Sequence, residues 1–211
     1  MKPRVQIIGN LVKDAENYIN RFNQKQCKFL IAVNSDNQKN GYYIDCFLNT
    51  HLTEKQLPFY KKGALCAFKG RYSESLNKQG ENIFFNRSLS VTEFNSSNIR
   101  NSFNRNITID FVGFLMDKPI FEEDITVFIL TENIFTGEGE NRQFRCVVPY
   151  ILSEKALSLF KEDCAIYVFG FYVDFLYRGV DLYINRTINV KDFEVLYQAQ
   201  NNILKIGDIT M

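Results

Sequence analysis

The chain has 211 residues, 45% of them apolar, and a net charge of +1. That length holds one large domain or two small ones, and no apolar run reaches the roughly eighteen residues that span a bilayer as a helix. The opening MKPRVQIIGN lacks the apolar stretch and small-residue cleavage site of a secretion signal, so a cytoplasmic location and no membrane partner are expected.

The net charge conceals an asymmetry. Residues 1–104 carry 15 Lys and Arg against 8 Asp and Glu, a balance of +7, while residues 105–211 carry 10 against 16, a balance of −6. A basic half joined to an acidic one implies that the basic half meets a polyanion.

Taken in chain order, runs rich in Val, Ile, Phe, Tyr and Cys predict strands at 4–12, 27–34, 41–48, 64–73 and 82–92. Between the third and fourth, LTEKQLPFYKKG predicts a short helix. Thr53 and Gln56 fit a capping box, Leu57 and Tyr60 share a helical face, and Pro58 shortens or distorts the element. The polar stretch NSSNIRNSFNRN (95–106) predicts a linker.

The same series then returns. IIGNL (7–11) matches FVGFL (111–115), and residues 42–72 lie over 142–172 without a gap. Cys46/Cys146, Leu52/Leu152, Glu54/Glu154, Lys61/Lys161, Gly70/Gly170 and Tyr72/Tyr172 are identical across that alignment. GENIFFNRSLSVTEF (80–94) then matches GVDLYINRTINVKDF (179–193), so that Asn86-Arg87 meets Asn185-Arg186. In the second copy Ser153 is the predicted helix cap, and Leu157 and Phe160 form the helical face.

Five strands with a helix between the third and fourth is the plan of a small closed barrel, the oligonucleotide/oligosaccharide-binding (OB) fold. Gly9 and Gly113 are expected to let a long first strand bend around each barrel. The expected fold is all-β with short helices, built as two tandem five-stranded OB-fold barrels. Residues 1–96 form barrel 1, 97–105 the linker, 106–194 barrel 2 and 195–211 a C-terminal segment.

VQIIGNLVKD, FLIAVNS, LTEKQLPFYKKG and FKGRY, in that order, resemble the bacterial single-stranded-DNA-binding protein family. That family has an I-G-N-L strand followed by an acid, a strand ending in A-x-N, a helix leading to K-K-G, and an E-G-R strand. Val5 to Phe94 follows this order, and Ile107 to Phe193 follows it more loosely. Two copies in one chain resemble the branch with two barrels per subunit, which forms dimers. The resemblance implies single-stranded DNA as partner, bound with little sequence preference during replication, recombination, repair or plasmid and phage DNA processing. It also implies no catalysis, no cofactor, a homodimer or higher self-assembly, and replication or conjugation proteins as further partners. The chain departs from the family pattern in having no tryptophan, so Tyr and Phe take the stacking role. It also has no Gly/Pro/Gln-rich segment or acidic run before GDITM, so recruitment of enzymes by an acidic tip is not expected.

Strand alternation puts Leu65, Ala67, Lys69, Arg71 and Ser73 on one face and Cys66, Phe68, Gly70 and Tyr72 on the other. Lys69 and Arg71 therefore display charge on the surface of barrel 1. The resemblance places a stacking aromatic at Tyr43. Phe84 and Phe85 are adjacent, so one points outward. Lys28, Tyr43, Lys62, Lys69, Arg71, Tyr72, Phe84 and Arg87 are the nucleic-acid candidates of barrel 1. Arg87 has a second reading as a structural rim residue, since its alternation with Leu89 and Val91 turns it coreward.

In the second copy Lys62, Gly63, Lys69 and Arg71 become Glu162, Asp163, Phe169 and Phe171. The strand AIYVFGFYVDF is apolar on both faces, so Phe169, Phe171 and Phe175 are expected in an interface with copy one or a second chain. The alternative is an aromatic platform of Phe169, Phe171, Phe175 and Tyr177, with Arg145, Arg178 and Arg186 supplying charge. Arg145, Tyr177 and Arg178 are the barrel 2 candidates for nucleic-acid contact.

Catalytic constellations are not legible. His51 is the only histidine, and no G-x-x-x-x-G-K-[S/T] loop occurs. Cysteines 27, 46, 66, 146 and 164 form no C-x-x-C and read as small buried hydrophobes in a reducing compartment. FTGEGENRQ (135–143) predicts an acidic hairpin loop. Two other classes stay open: an OB-fold interaction scaffold without nucleic-acid binding, and a single-stranded RNA binder.

Overall fold

Alternation of apolar and polar residues along each predicted run is what closes the first barrel. In the computed structural model, which describes residues 4–33, 42–95, 107–132, 142–161, 164–178 and 181–197, six strands build it. These are β1 (Arg4–Leu11), β2 (Glu16–Ile19), β3 (Lys25–Val33), β4 (Tyr42–Leu48), β5 (Leu65–Gln79) and β6 (Asn82–Asn95). They follow the order β2-β3-β4-β6-β5-β1, and β1 closes the barrel by pairing β3 as well. β4 and β6 run parallel, and the other pairings are antiparallel. The inward set includes Val5, Ile7, Phe29, Ile31, Ile44, Cys46, Phe68 and Leu89, all buried. At the centre the Phe29 ring lies 4.7 Å from Phe68 and 5.6 Å from Tyr60.

The second barrel repeats the plan with β7 (Ile107–Leu115), β8 (Ile120–Glu122), β9 (Ile125–Thr131), β10 (Gln143–Val148), α1 (Glu154–Leu157), β11 (Ala165–Arg178) and β12 (Leu182–Tyr197). Its order is β7-β11-β12-β10-β9-β8, closed by β7 on β9. α1 is capped as expected: the Ser153 Oγ accepts from the Ala156 N–H at 3.3 Å. In copy one Pro58 reduces the helix to a single 3-10 turn, Leu57–Phe59, and the Gln56 Oε1 accepts from the Thr53 N–H at 3.0 Å.

Two features differ from the sequence reading. β2 and β8 are additional short strands, too brief to show a period. β5 and β6 continue past the barrel as a hairpin arm, Ser73 to Gln79 against Asn82 to Ser88. The β6 side of that arm lies within the predicted 82–92 strand; the β5 side beyond Ser73 is polar because it has no core to cover, so the reading stopped at 73. Residues 97–105 of the expected linker, most of the 135–143 loop, Glu162, Asp163 and residues 198–211 lie outside the described residues.

The glycines act by close approach. β1 leaves β5 for β3 next to Gly9, where a Cβ would stand 2.3 Å from the Ala32 carbonyl oxygen. Gly70 and Gly170 each sit at a register shift between strands, and a Cβ would fall 2.1 Å from the Ser90 oxygen or 2.4 Å from the Asn189 oxygen. The bulge is the reason this glycine recurs in both copies.

The barrels join through their first strands. β1 pairs antiparallel with β7 in the register Arg4↔Asp110, Val5↔Ile109, Gln6↔Thr108, Ile7↔Ile107. The repeat equates Val5 with Ile109, and these residues stand opposite one another, as strands related by a local two-fold axis do. A continuous run β6-β5-β1-β7-β11-β12 therefore crosses both barrels.

A buried exchange of charged groups reinforces the ladder. The Tyr72 hydroxyl donates to Asp174 Oδ2 at 2.6 Å, and the Arg87 Nε donates to Asp174 Oδ1 at 2.8 Å. In the reverse sense Arg186 Nε donates to Glu74 Oε1, and Arg142 Nη1 donates to Glu74 Oε2 at 3.3 Å. Asp174 and Glu74 have fully buried side chains. The Tyr72 and Tyr172 rings meet edge to face at 5.5 Å. Burial, followed by the nearby Asp174 carboxylate, pushes both phenol groups well above their ordinary range, so they stay protonated.

Replacing Asp174 by Ala leaves the Arg87 guanidinium without its carboxylate in a largely dry site. The expected loss is about 3–5 kcal/mol of unfolding free energy in denaturant titration. A loss below about 1 kcal/mol would mean that the exchange does not hold the barrels.

Candidate nucleic-acid interface

Three outer surfaces carry the predicted residues. The first is the outer face of β3 and β4, where Lys28 stands opposite Phe47 and Ala32 opposite Tyr43. The Tyr43 ring is 61% exposed. Lys28 Nζ lies 5.4 Å from the Phe47 ring centre and 2.9 Å from Asp45 Oδ1. Its charge is thus partly met within the fold while the neighbouring ring stays accessible at one face. Lys62 is exposed near the end of β1, with its N–H donating to Asp14 Oδ1 at 2.8 Å.

The second surface is the outer face of the continuous six strands. Two rows cross it: Lys69, Gln6, Thr108, Phe171, and Arg71, Arg4, Asp110, Phe169. The barrel 1 half is basic. The barrel 2 half is aromatic and acidic, and Lys191 Nζ lies 5.1 Å from the Phe171 ring centre. Lys69 and Arg71 therefore stand with Phe169 and Phe171 rather than with Tyr43 and Lys28.

The third surface is made by the hairpin arms. On the β5–β6 arm Phe84 is exposed, while Phe85 lies beneath the Arg87 guanidinium at 4.0 Å. On the β11–β12 arm Tyr177 and Tyr183 stack at 4.8 Å with an interplanar angle of 29°, both exposed, and the exposed Arg178 follows at the end of β11. A groove of about 750 Å³ lies between the two arms, with Ser73, Ser75 and Leu76 on one side, Tyr183 on the other, and Arg142 and Arg186 in its lining. Arg145 lines an adjoining groove and pairs with Glu122 at 2.5 Å.

Several assignments need correction. Tyr72 is 3% exposed, on the inward face of β5, and bonded to Asp174, so it presents no ring to a ligand. Arg87 belongs to the rim between the barrels, as its second reading had it; it also donates to the Asp174 carbonyl at 3.3 Å. Arg186 is held by Glu74 in the same way and is withdrawn from the platform. Phe169, Phe171 and Phe175 do not join the barrels to each other: they stand on the opposite face of β11 from Tyr172 and Asp174.

Sequence reasoning missed Glu74, Asp174, Arg142 and Tyr183. One signal was present: an acid follows the repeated tyrosine by two residues in both copies, Tyr72-Ser73-Glu74 and Tyr172-Val173-Asp174. Paired with the recurring Asn-Arg, it spells out the exchange.

No protein-family model matches the chain, and no curated protein matches it. Solved structures do. The single-stranded DNA binding protein from Thermus aquaticus superposes with a TM-score of 0.57 at 14% identity, over 95% of this chain and 95% of that one. A deletion mutant of the same Thermus aquaticus protein gives 0.55 at 15% identity, over 93% of this chain and 95% of that one. The chain has the fold of these single-stranded-DNA-binding proteins. The all-β OB fold expected from the sequence is thereby matched over nearly the whole of the chain.

Among the described residues no cluster of His, Cys, Asp and Glu is placed to hold a metal, and no helix is long and apolar enough to cross a membrane. None of the five cysteines forms a disulfide, and all are buried. Burial pushes the Cys27 thiol up to about 11 and the Cys66 thiol up to about 12. Thiolate is therefore scarce at neutral pH. Titration with a disulfide reagent at pH 8 is expected to find no fast-reacting thiol in the native protein and five after denaturation. A fast native thiol would show that a strand opens locally.

Proposed function

We propose that the chain binds single-stranded DNA with little sequence preference, using the outer face of barrel 1 and the hairpin arm of barrel 2. The observation that carries this reading is exposed aromatic surface on strands that also carry cations, on both barrels: Tyr43 on the β3–β4 face that holds Lys28, and the Tyr177–Tyr183 stack on the arm that ends in Arg178. Every base has a π face, so stacking is worth roughly 1–3 kcal/mol per base whatever the sequence. Cations along the backbone add affinity that falls with salt. The shared fold with the Thermus aquaticus proteins supports the same reading.

The contact set is Lys28, Tyr43, Lys62, Phe84, Arg145, Tyr177, Arg178 and Tyr183. Residues 1–96 and 106–194 serve as the two binding units, joined through 97–105. Lys69 and Arg71 fit assembly better than strand binding. A second copy packed on the six-strand face about a two-fold axis sets the basic half of each chain on the aromatic and acidic half of the other, giving a homodimer. Such a protein protects exposed strands during replication, recombination or plasmid and phage DNA processing.

Fluorescence anisotropy with oligo-dT, its RNA counterpart and a duplex, across a salt series, tests the reading. Salt-sensitive binding of the DNA single strand is expected, with Tyr43→Ala weakening it by about 1–3 kcal/mol. Equal weak binding to all three would favour the scaffold, and preference for the RNA would favour the RNA binder. A Lys69→Glu/Arg71→Glu variant is expected to keep its oligo-dT affinity on short lengths and to sediment as a monomer; lost affinity in a dimeric variant would return both residues to the strand path.

A further inference from the structure

We propose that the β2–β3 hairpin of one molecule docks on the β8–β9 hairpin of the next, so that neighbours bound on one strand link head to tail. β2 and β8 are the two end strands of the sheet, one on each barrel. They follow β1 and β7 at the same place in the repeat, yet their tips have opposite character.

The first tip is built to present a ring. Asn20 Oδ1 accepts from the N–H groups of Phe22 at 2.9 Å and Gln24 at 3.0 Å, and Asn23 takes a positive φ of 59°. This rigid turn holds Phe22 at 68% exposure, with the Arg21 guanidinium 4.8 Å from the ring centre. Ile19 is more than half exposed beside it, and Lys25 ends the turn. The second tip is acidic. Glu123 and Asp124 connect β8 to β9, and Ile120 and Phe121 are more than half exposed. Because all four apolar side chains are this exposed, the hairpins do not cover one another within a molecule.

Neighbouring charges leave the contrast intact. Glu16 pairs with Lys13 at 3.7 Å, Glu122 with Arg145, and Asp117 adjoins Lys118. Arg21 and Lys25 then face Glu123 and Asp124 across the contact, with Ile19 and Phe22 against Ile120 and Phe121. Pairing two like hairpins would oppose like charges, so only the unlike pairing is favoured. A heterologous contact of this kind does not close on itself and generates an open row. The Tyr18 carbonyl is already bonded to His51 Nε2 at 2.9 Å, which takes one acceptor from the β2 edge, and the contact runs through side chains. Exposed contacts this small are weak in free solution, and a shared strand raises the local concentration enough for them to act.

The cooperative consequence rests on the single-strand reading, whereas the contact itself does not. Two measurements keep them apart. First, binding is compared on oligo-dT lengths that hold one and two molecules. Wild type is expected to bind the second site roughly tenfold or more tightly than the first. Arg21→Glu/Lys25→Glu is expected to lower that factor to about one without changing one-site affinity. Adding Glu123→Lys/Asp124→Lys in the same chain is expected to restore it. Equal site affinities in wild type, or no rescue, overturns the proposal. Second, Gln24→Cys and Lys118→Cys variants, at exposed positions beside the tips that leave the contacting side chains in place, are mixed with a short bis-maleimide at high concentration without DNA. Cross-links in the mixture well beyond either variant alone support the contact, and their absence overturns it. If no oligonucleotide binds, the single-strand reading fails, and the cross-linking result still decides the contact.

Discussion

The pairing of β1 with β7 is the constraint on which the rest of the molecule depends. An exposed first strand on either barrel would be an open edge. Laying the two edges together removes both and merges the barrels into one sheet. The register allows little freedom, because a slip by one residue would turn Val5, Ile7, Ile107 and Ile109 out of the core. The buried exchange of Asp174 with Arg87 and Glu74 with Arg186 then bridges the barrels a second time. Buried charges of this kind add little net stability against a hydrophobic replacement, and they are costly to leave unpaired.

This explains why the interior kept its symmetry and the surface did not. Each half of the exchange needs a carboxylate on one copy and an arginine on the other, so neither side can change alone. Outward residues have no such partner. On the six-strand face Lys69 and Arg71 of one copy correspond to Phe169 and Phe171 of the other. At the hairpin tips a basic turn corresponds to an acidic one. A symmetric frame with asymmetric surfaces has a direction, and the proposed strand path and the proposed row of neighbours both use it.

The fold was largely legible. Residue runs located the five principal strands of copy one, and the matches to 111–115, 142–172 and 179–193 carried four of them over to copy two. Pro58 predicted the shortened helix, and Ser153 its cap. The candidate site was legible in part. Tyr43, Phe84 and Tyr177 are exposed as expected. Tyr72 was misread, and Arg87 kept only its rim reading without its partner, because each motif was weighed within its own copy and their partners lie on the other.

The sequence alone determined the strand periods, the repeat, the charge imbalance between halves and the burial of the cysteines, because these depend on local alternation and composition. The tertiary structure alone decided which outer residues share a surface. Lys69 and Tyr43 lie in one barrel but on different faces, and Tyr177 stacks on Tyr183 only because the β11–β12 arm brings them together. Strand alternation tells inside from outside; where each outside residue falls around the barrel is set by pairing between strands distant in the chain.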